Sequence, residues 1–238
     1  MLNQANYWIE IAAAVVDALL LLRFLLLKLQ KTYFFIFLVC VLTVFFDVIT
    51  LWLGIQSQEA GRVTFYSRFL YVFLYPAAAW DVFEEIRAQI AKVRRLAIFR
   101  LVSSVFMATI FGLLFIAFAD TSGDGGREAV ITLLGLVLWA ASAVASLAFL
   151  LTLHRETRKQ KITLPNNTFV WLVFFELLMA VEVLVCVAAL ALPLLNSRVE
   201  DVADICFNTY GILITIWCVW RLRAVVSDLP SASEKASL

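Results

Sequence analysis

Long apolar runs separated by short polar segments make up most of this chain. Seven runs are long enough to be membrane spans, at about residues 7–29, 33–55, 65–87, 97–119, 128–153, 168–193 and 204–223. A helix needs roughly 20 mainly apolar residues to cross about 30 Å of hydrocarbon. The pattern therefore predicts an all-α polytopic membrane protein. Its seven transmembrane helices would form one bundle and a single domain over 1–223, followed by a short cytoplasmic tail over 224–238.

The composition supports a bilayer as the surroundings of this chain. Hydrophobic residues make up 63% of it and the mean hydropathy is +0.94, whereas soluble domains are about 45–50% apolar. The first run is longer than the core of a signal peptide and no Lys or Arg precedes it, so we expect a retained helix. The net charge of +1 provides no overall field that would attract nucleic acid.

The distribution of basic residues predicts the orientation. If the N-terminus is outside, only four of the 19 Lys and Arg residues fall on the outer side, namely Arg62, Arg68, Arg127 and Arg198. Cytoplasmic ends and loops of membrane proteins carry the excess of Lys and Arg. The pattern therefore favours an N-out, C-in topology.

Four carboxylic acids are predicted to lie at membrane depth: Asp17, Asp47, Glu176 and Glu182. An acid at a helix centre costs about 2.5–3.5 kcal/mol on insertion scales. No Lys or Arg shares the central depth, because the nearest candidates lie toward helix ends: Arg23, Arg68 and Arg100. The acids must therefore be protonated, hydrated in a cavity or bound to an external cation. They form a candidate proton, cation or ligand site, and interhelical hydrogen bonding to hydroxyl groups is the structural alternative.

The spacing of the two glutamates predicts separate partners. Glu176 and Glu182 are six residues apart, which on a helix is a rise of about 9 Å and an offset of about 120° around the axis. One glutamate can face a central cavity while the other meets a neighbouring helix.

The run at 65–87 contains Pro76, which predicts a kink or a local opening of the helix because proline lacks a backbone N–H. Its Phe and Tyr side chains are interpreted as lipid-facing or as packed core. The apolar pattern continues beyond it as an amphipathic helix whose polar face would contact lipid or a protein partner, and this face consists of Arg87, Lys92, Arg94 and Arg95.

The run at 128–153 is rich in small residues. Ala141 and Ala145, like Ser142 and Ser146, are four residues apart, and such pairs let helix backbones approach closely. We therefore expect this helix inside the bundle or at a dimer face.

The sequence lacks the residues that several activities require. No lysine lies near mid-depth to form a retinal Schiff base. The single histidine, His154, is predicted to lie in a loop, and no zinc-protease or phosphate-loop motif is present. The four cysteines are interpreted as small core residues: Cys40, Cys186, Cys206 and Cys218. We expect no enzymatic activity, no cofactor and no metal.

The segment 65–86, FYSRFLYVFLYPAAAWDVFEEI, is followed by RRL and preceded by two aromatic-rich runs. Together with the seven spans, this pattern resembles small seven-helix bacterial membrane proteins of unknown function. The resemblance covers roughly the first half of the chain, and it implies no activity, cofactor or site.

Together these features lead to one expected role and two alternatives. We expect a non-enzymatic sensor or accessory subunit of a bacterial cytoplasmic membrane, which binds a small ligand, a lipid or a cytoplasmic or membrane protein partner. The first alternative is a proton- or cation-coupled transporter that uses the buried acids. The second is a purely structural assembly subunit.

Overall fold

A computed structural model describes residues 2–55, 57–87, 110, 126–191 and 197–224. These residues form six long α-helices and contain no strand, so the described chain is all-helical. The helices are α1 (Leu2–Leu26), α2 (Phe34–Leu53), α3 (Gln58–Ile86), α4 (Gly126–Lys159), α5 (Asn166–Ala191) and α6 (Ser197–Arg221). A short 3-10 helix, Leu29–Lys31, joins α1 to α2. The predicted span at 97–119, the basic residues Lys92, Arg94 and Arg95, and nearly all of the tail lie outside the described residues.

The six helices form a ring in the order of the chain. Each helix packs against the next one in sequence, and α6 returns to pack against α1. In addition, α3 contacts α5 across the ring. The ring encloses a central space toward which all six helices direct side chains.

Local sequence explains how α2 gives way to α3. Gly54 follows α2 with φ +88°, a left-handed conformation that favours glycine. Ser57 then caps α3, since its side-chain oxygen accepts a hydrogen bond from the backbone N–H of Ala60 at 3.0 Å.

Pro76 lies inside α3, and the helix continues past it to Ile86. Proline cannot donate to the carbonyl four residues earlier, which is that of Val72. Ser142 of α4 donates its hydroxyl to this carbonyl at 2.7 Å. One of the small residues of α4 thus satisfies the backbone group that the proline leaves without a helical partner.

The helix α4 extends six residues beyond the predicted end at 153, because apolarity marks bilayer depth and does not mark where a helix ends. His154 therefore lies on a helix and the loop prediction is wrong. The polar last turns are supported by their own contacts: Thr157 donates to the carbonyl of His154, and Lys159 pairs with Glu156 at 3.0 Å.

One end of the ring, here called the basic end, is where α1, α3, α4 and α6 finish and where α2 and α5 begin. Asp81 of α3 accepts hydrogen bonds from the first backbone N–H groups of α2, at 2.6 Å from Phe35 and 3.0 Å from Ile36. This carboxylate caps a helix to which it does not belong. Side chains of the basic end also pack tightly, with several large groups almost fully buried: Phe24, Leu29, Ile36, Phe83, Ile86, Leu153 and Trp171.

Polar side chains at the start of α5 form hydrogen bonds to neighbouring segments of the basic end. Asn167 donates to the carbonyl of Arg223 at 2.8 Å and accepts from the N–H of Arg223 at 2.9 Å. Asn166 donates to the carbonyl of Arg221, and Thr168 shares a hydrogen bond with Tyr33. These polar side chains stabilise the end of α6 and the α1–α2 connection.

The outward faces of the helices are apolar. Large side chains point away from the ring on every helix, among them Trp8, Leu26, Trp52, Phe73, Leu151, Val187, Leu213 and Trp220. Among the described residues, three helical segments are long and apolar enough to cross a membrane: Phe34–Leu53, Leu134–Lys159 and Asn166–Ala188.

Candidate functional site

A cavity of about 690 Å³ lies inside the ring. Its lining begins at Ile55, in the α2–α3 connection, and at Gly61, in the first turn of α3. It ends near Leu20 and Tyr75. Along α3 this depth is about 21 Å, from the rise of a helix over 14 residues. The cavity therefore occupies the half of the ring opposite the basic end, here called the cavity half.

Three of the four predicted site acids line this cavity. Asp17 comes from α1, Asp47 from α2 and Glu182 from α5. Asp17 and Asp47 lie close enough to repel each other when both are charged. One carboxylate oxygen of Asp47 is buried and has no hydrogen-bond partner in the described structure.

Glu182 is held by a tyrosine of α3. The hydroxyl of Tyr75 donates to Glu182 Oε1 at 2.7 Å. Tyr75 stacks on Tyr71 with ring centroids 5.3 Å apart, and Tyr71 shares a hydrogen bond with Thr43 at 2.8 Å. This series connects α5 to α2 through two stacked rings of α3.

The aromatic run of α3 thus divides between two environments. Tyr66 and Phe73 point outward, as expected for lipid-facing residues, whereas Tyr71 and Tyr75 line the cavity. The interpretation as packed core is confirmed for Tyr75, which belongs to the buried core, and Tyr71 packs against that core. The additional finding is that both tyrosines also line the cavity. Their spacing of four residues, which places them on one helix face, was the available signal.

Arg68 also lines the cavity, together with the acids. The helix α3 begins at Gln58, seven residues before the predicted span, so Arg68 lies in the third turn of the helix and not in its first. Its guanidinium lies over the ring of Trp139 at 4.7 Å from the centroid, a cation–π contact. It attracts the carboxylate of Glu182 at longer range.

Glu176 does not belong to the cavity lining. Both of its carboxylate oxygens lie 2.9 Å from Nδ1 of His154 on α4. The predicted division of the two glutamates is confirmed, because Glu176 meets a neighbouring helix and Glu182 meets the central cavity.

The remaining predicted residues lie elsewhere. Arg87 is exposed at the basic end and pairs with Glu84 at 2.7 Å, while its predicted companions on the same face lie outside the described residues. Three cysteines are buried as expected, but Cys206 is exposed. Within the described residues, no three His, Cys, Asp or Glu side chains converge as metal ligands.

No family model matches the sequence, and no curated protein or solved structure matches it. The cavity and its lining are therefore the basis for assigning a function.

Proposed function

We propose that this chain is an integral membrane protein which binds a small ligand in the cavity and acts as a sensor or accessory subunit. The observation that carries this proposal is the cavity itself, about 690 Å³ in volume and lined by all six described helices. Ligand pockets are typically about 300–1,000 Å³ and combine apolar walls with a few polar groups. In this proposal the fold has seven transmembrane helices and lies N-out and C-in in a bacterial cytoplasmic membrane.

The distribution of polarity supports the membrane assignment. The charged side chains of α3 that lower its hydropathy include Arg68, which faces the cavity, and Asp81, which caps α2. The outward residues of the same helix, Tyr66, Leu70 and Phe73, are apolar or aromatic. A polar interior with an apolar exterior is the arrangement that lipid requires.

The proposed orientation follows from the basic end. It carries ten Lys and Arg side chains of the described residues: Arg23, Lys28, Lys31, Arg87, Arg155, Arg158, Lys159, Lys161, Arg221 and Arg223. The positive-inside rule assigns such an end to the cytoplasm. The cavity half then faces the outside.

The packing of the basic end favours a sensor or accessory subunit over a transporter. Toward the basic end, the described interior of the ring is packed with buried side chains such as Phe24, Leu29 and Phe83, and none of these three lines the cavity. The transporter alternative is supported by one observation, namely that Asp17, Asp47 and Glu182 share a single cavity.

The accessibility of a cysteine introduced into the cavity tests the proposal. Gly211 lines the cavity, and a Cβ added there would meet no atom within 4 Å. We expect a small neutral reagent, N-ethylmaleimide, to modify a Gly211→Cys variant in proteoliposomes. The background would be Cys40→Ala and Cys206→Ser, which removes the cavity thiol and the exposed thiol.

The matched control is Leu213→Cys, two residues along α6, where the side chain is 60% exposed on the outward surface. A thiol in contact with lipid is protonated and reacts slowly, because the thiolate is the nucleophile. Equal labelling of the two variants, or no labelling at Gly211→Cys, would contradict a water-accessible pocket inside a membrane-embedded ring.

A further inference from the structure

Among the described residues that line the cavity, acids outnumber basic side chains. Four carboxylic acids line it, Glu10, Asp17, Asp47 and Glu182, together with one basic side chain, Arg68. Among the described residues of the lining, these five are the Asp, Glu, Lys and Arg side chains. An occupant that carries a positive charge would therefore be attracted to this space.

Arg68 does not neutralise Asp17, Asp47 or Glu182 by direct ion pairing. No ion pair shorter than 4.0 Å joins Arg68 to an acid among the described residues, and its guanidinium lies on Trp139 instead. One buried carboxylate oxygen of Asp47 has no hydrogen-bond donor among the residues that the structure describes. The α1–α2 side of the cavity, which holds Asp17 and Asp47, is therefore the place where a cation would be stabilised most.

Aromatic rings form much of the remaining wall. Phe65, Tyr71 and Tyr75 contribute from α3, and Phe174 and Phe207 contribute from α5 and α6. Ring faces attract ammonium groups and also bury apolar surface. Acids combined with aromatic rings are a suitable lining for an amine that has an apolar body.

The size of the cavity separates an organic cation from a metal ion. A calcium ion is held by oxygen ligands at about 2.3–2.6 Å, so a bare ion would fill only a small part of about 690 Å³. A drug-sized molecule fits this volume.

We propose that the ligand of this cavity is a small organic cation, an amine or quaternary ammonium on an apolar body. Its charged group lies between Asp17 and Asp47, and its body packs against Tyr71, Tyr75 and Phe174. This inference rests on the proposed function, since it specifies the ligand class of the same cavity.

Protection of the Gly211→Cys variant from N-ethylmaleimide tests the inference. Three probes of similar size differ mainly in charge: 3-phenylpropylammonium, 3-phenylpropanol and 3-phenylpropionate. We expect the ammonium compound to protect the thiol at concentrations about tenfold lower than the alcohol, and the carboxylate to protect least.

Equal protection by all three probes would overturn the cation inference while leaving a ligand pocket in place. Stronger protection by the carboxylate would also overturn it and would identify Arg68 as the binding group. The absence of protection by every probe at millimolar concentration would likewise count against it, whereas an unreactive thiol without any probe would contradict the proposed function itself.

Acid variants provide the matched comparison. Asp47→Asn should weaken protection by the ammonium probe about tenfold and leave protection by the alcohol unchanged. Glu176→Gln removes an acid of α5 that lies outside the cavity, so it should leave both unchanged. Equal weakening of protection in Asp47→Asn and Glu176→Gln would show that the effect is structural. It would overturn the assignment of Asp47 as a group that binds the cation.

Discussion

At the scale of residues, individual polar side chains satisfy particular backbone or carboxylate groups. Tyr75 donates to Glu182, and Asp81 accepts from two backbone N–H groups of α2. The sequence predicted that the acids would need partners, and the spacing of Glu176 and Glu182 predicted different ones. The sequence did not identify His154 as the partner of Glu176 or Tyr75 as the partner of Glu182. These pairs depend on how α4 and α3 align with α5, and the residue pattern of a single helix does not show that alignment.

The hydrogen bond from Ser142 to the carbonyl of Val72 can be tested by substitution. Ser142→Ala leaves that carbonyl without a donor in an apolar environment, and we expect a loss of about 1–3 kcal/mol in the free energy of unfolding. Ser146, one turn later, is fully buried and its hydroxyl has no partner in the described structure. Ser146→Ala should therefore be neutral or slightly stabilising.

Reversible unfolding of the purified protein in detergent measures both serine variants. Equal destabilisation by the two would show that loss of packing volume, and not the bond to α3, accounts for the effect.

At the scale of elements, the apolar pattern located the helices but not their ends. The helix α3 begins at Gln58 and α4 continues to Lys159, so both are longer than the predicted spans at 65–87 and 128–153. Charged turns of these helices extend beyond the apolar runs, and the caps at Ser57 and in the turn of Thr157 are local features that hydropathy does not register.

Gly135 and Gly211 differ in their surroundings, since one lies where two helices pack closely and the other lies beside open space. A Cβ at Gly135 of α4 would lie 3.1 Å from the rings of both Phe65 and Phe69 of α3, whereas a Cβ at Gly211 of α6 would meet nothing within 4 Å. Gly135→Leu must displace these rings, and we expect it to cost about 1–3 kcal/mol through overpacking. Gly211→Leu should retain or raise stability, because leucine favours a helix by up to about 1 kcal/mol over glycine.

Thermal unfolding in detergent, followed by tryptophan fluorescence, compares the two leucine variants. Close packing of α4 on α3 at Gly135 would be contradicted if Gly135→Leu unfolded at the same temperature as the parent. It would also be contradicted if Gly211→Leu were less stable than Gly135→Leu.

At the scale of the whole molecule, the ring has an apolar exterior, a polar cavity in one half and a densely packed basic end. The sequence predicted an all-helical protein with apolar helices. This was possible because a long apolar segment in lipid must satisfy its own backbone hydrogen bonds, and an α-helix does so. The closure of α6 onto α1 and the space enclosed by it did not follow from the sequence. They arise from helix packing angles and from the mixture of large and small side chains across the ring, which one-dimensional periodicity does not encode.

The cavity also changes the interpretation of the acids. Asp17 and Asp47 come from the first two helices and Glu182 comes from the fifth, yet all three line one space. The sequence placed them at membrane depth but did not show which of them faced the same space inside the ring. Glu176, which the sequence also placed within a membrane span, pairs with His154 outside the cavity.

The proposed orientation places the cavity half toward the outside of the membrane and the basic end toward the cytoplasm. Labelling with an impermeant cationic thiol reagent, methanethiosulfonate ethyltrimethylammonium, compares Gly211→Cys with Lys161→Cys, an exposed position of the basic end. In intact cells we predict modification of Gly211→Cys, with Lys161→Cys modified only after permeabilisation. Modification of Lys161→Cys in intact cells, with Gly211→Cys protected until permeabilisation, would contradict the proposed orientation and the outward-facing pocket.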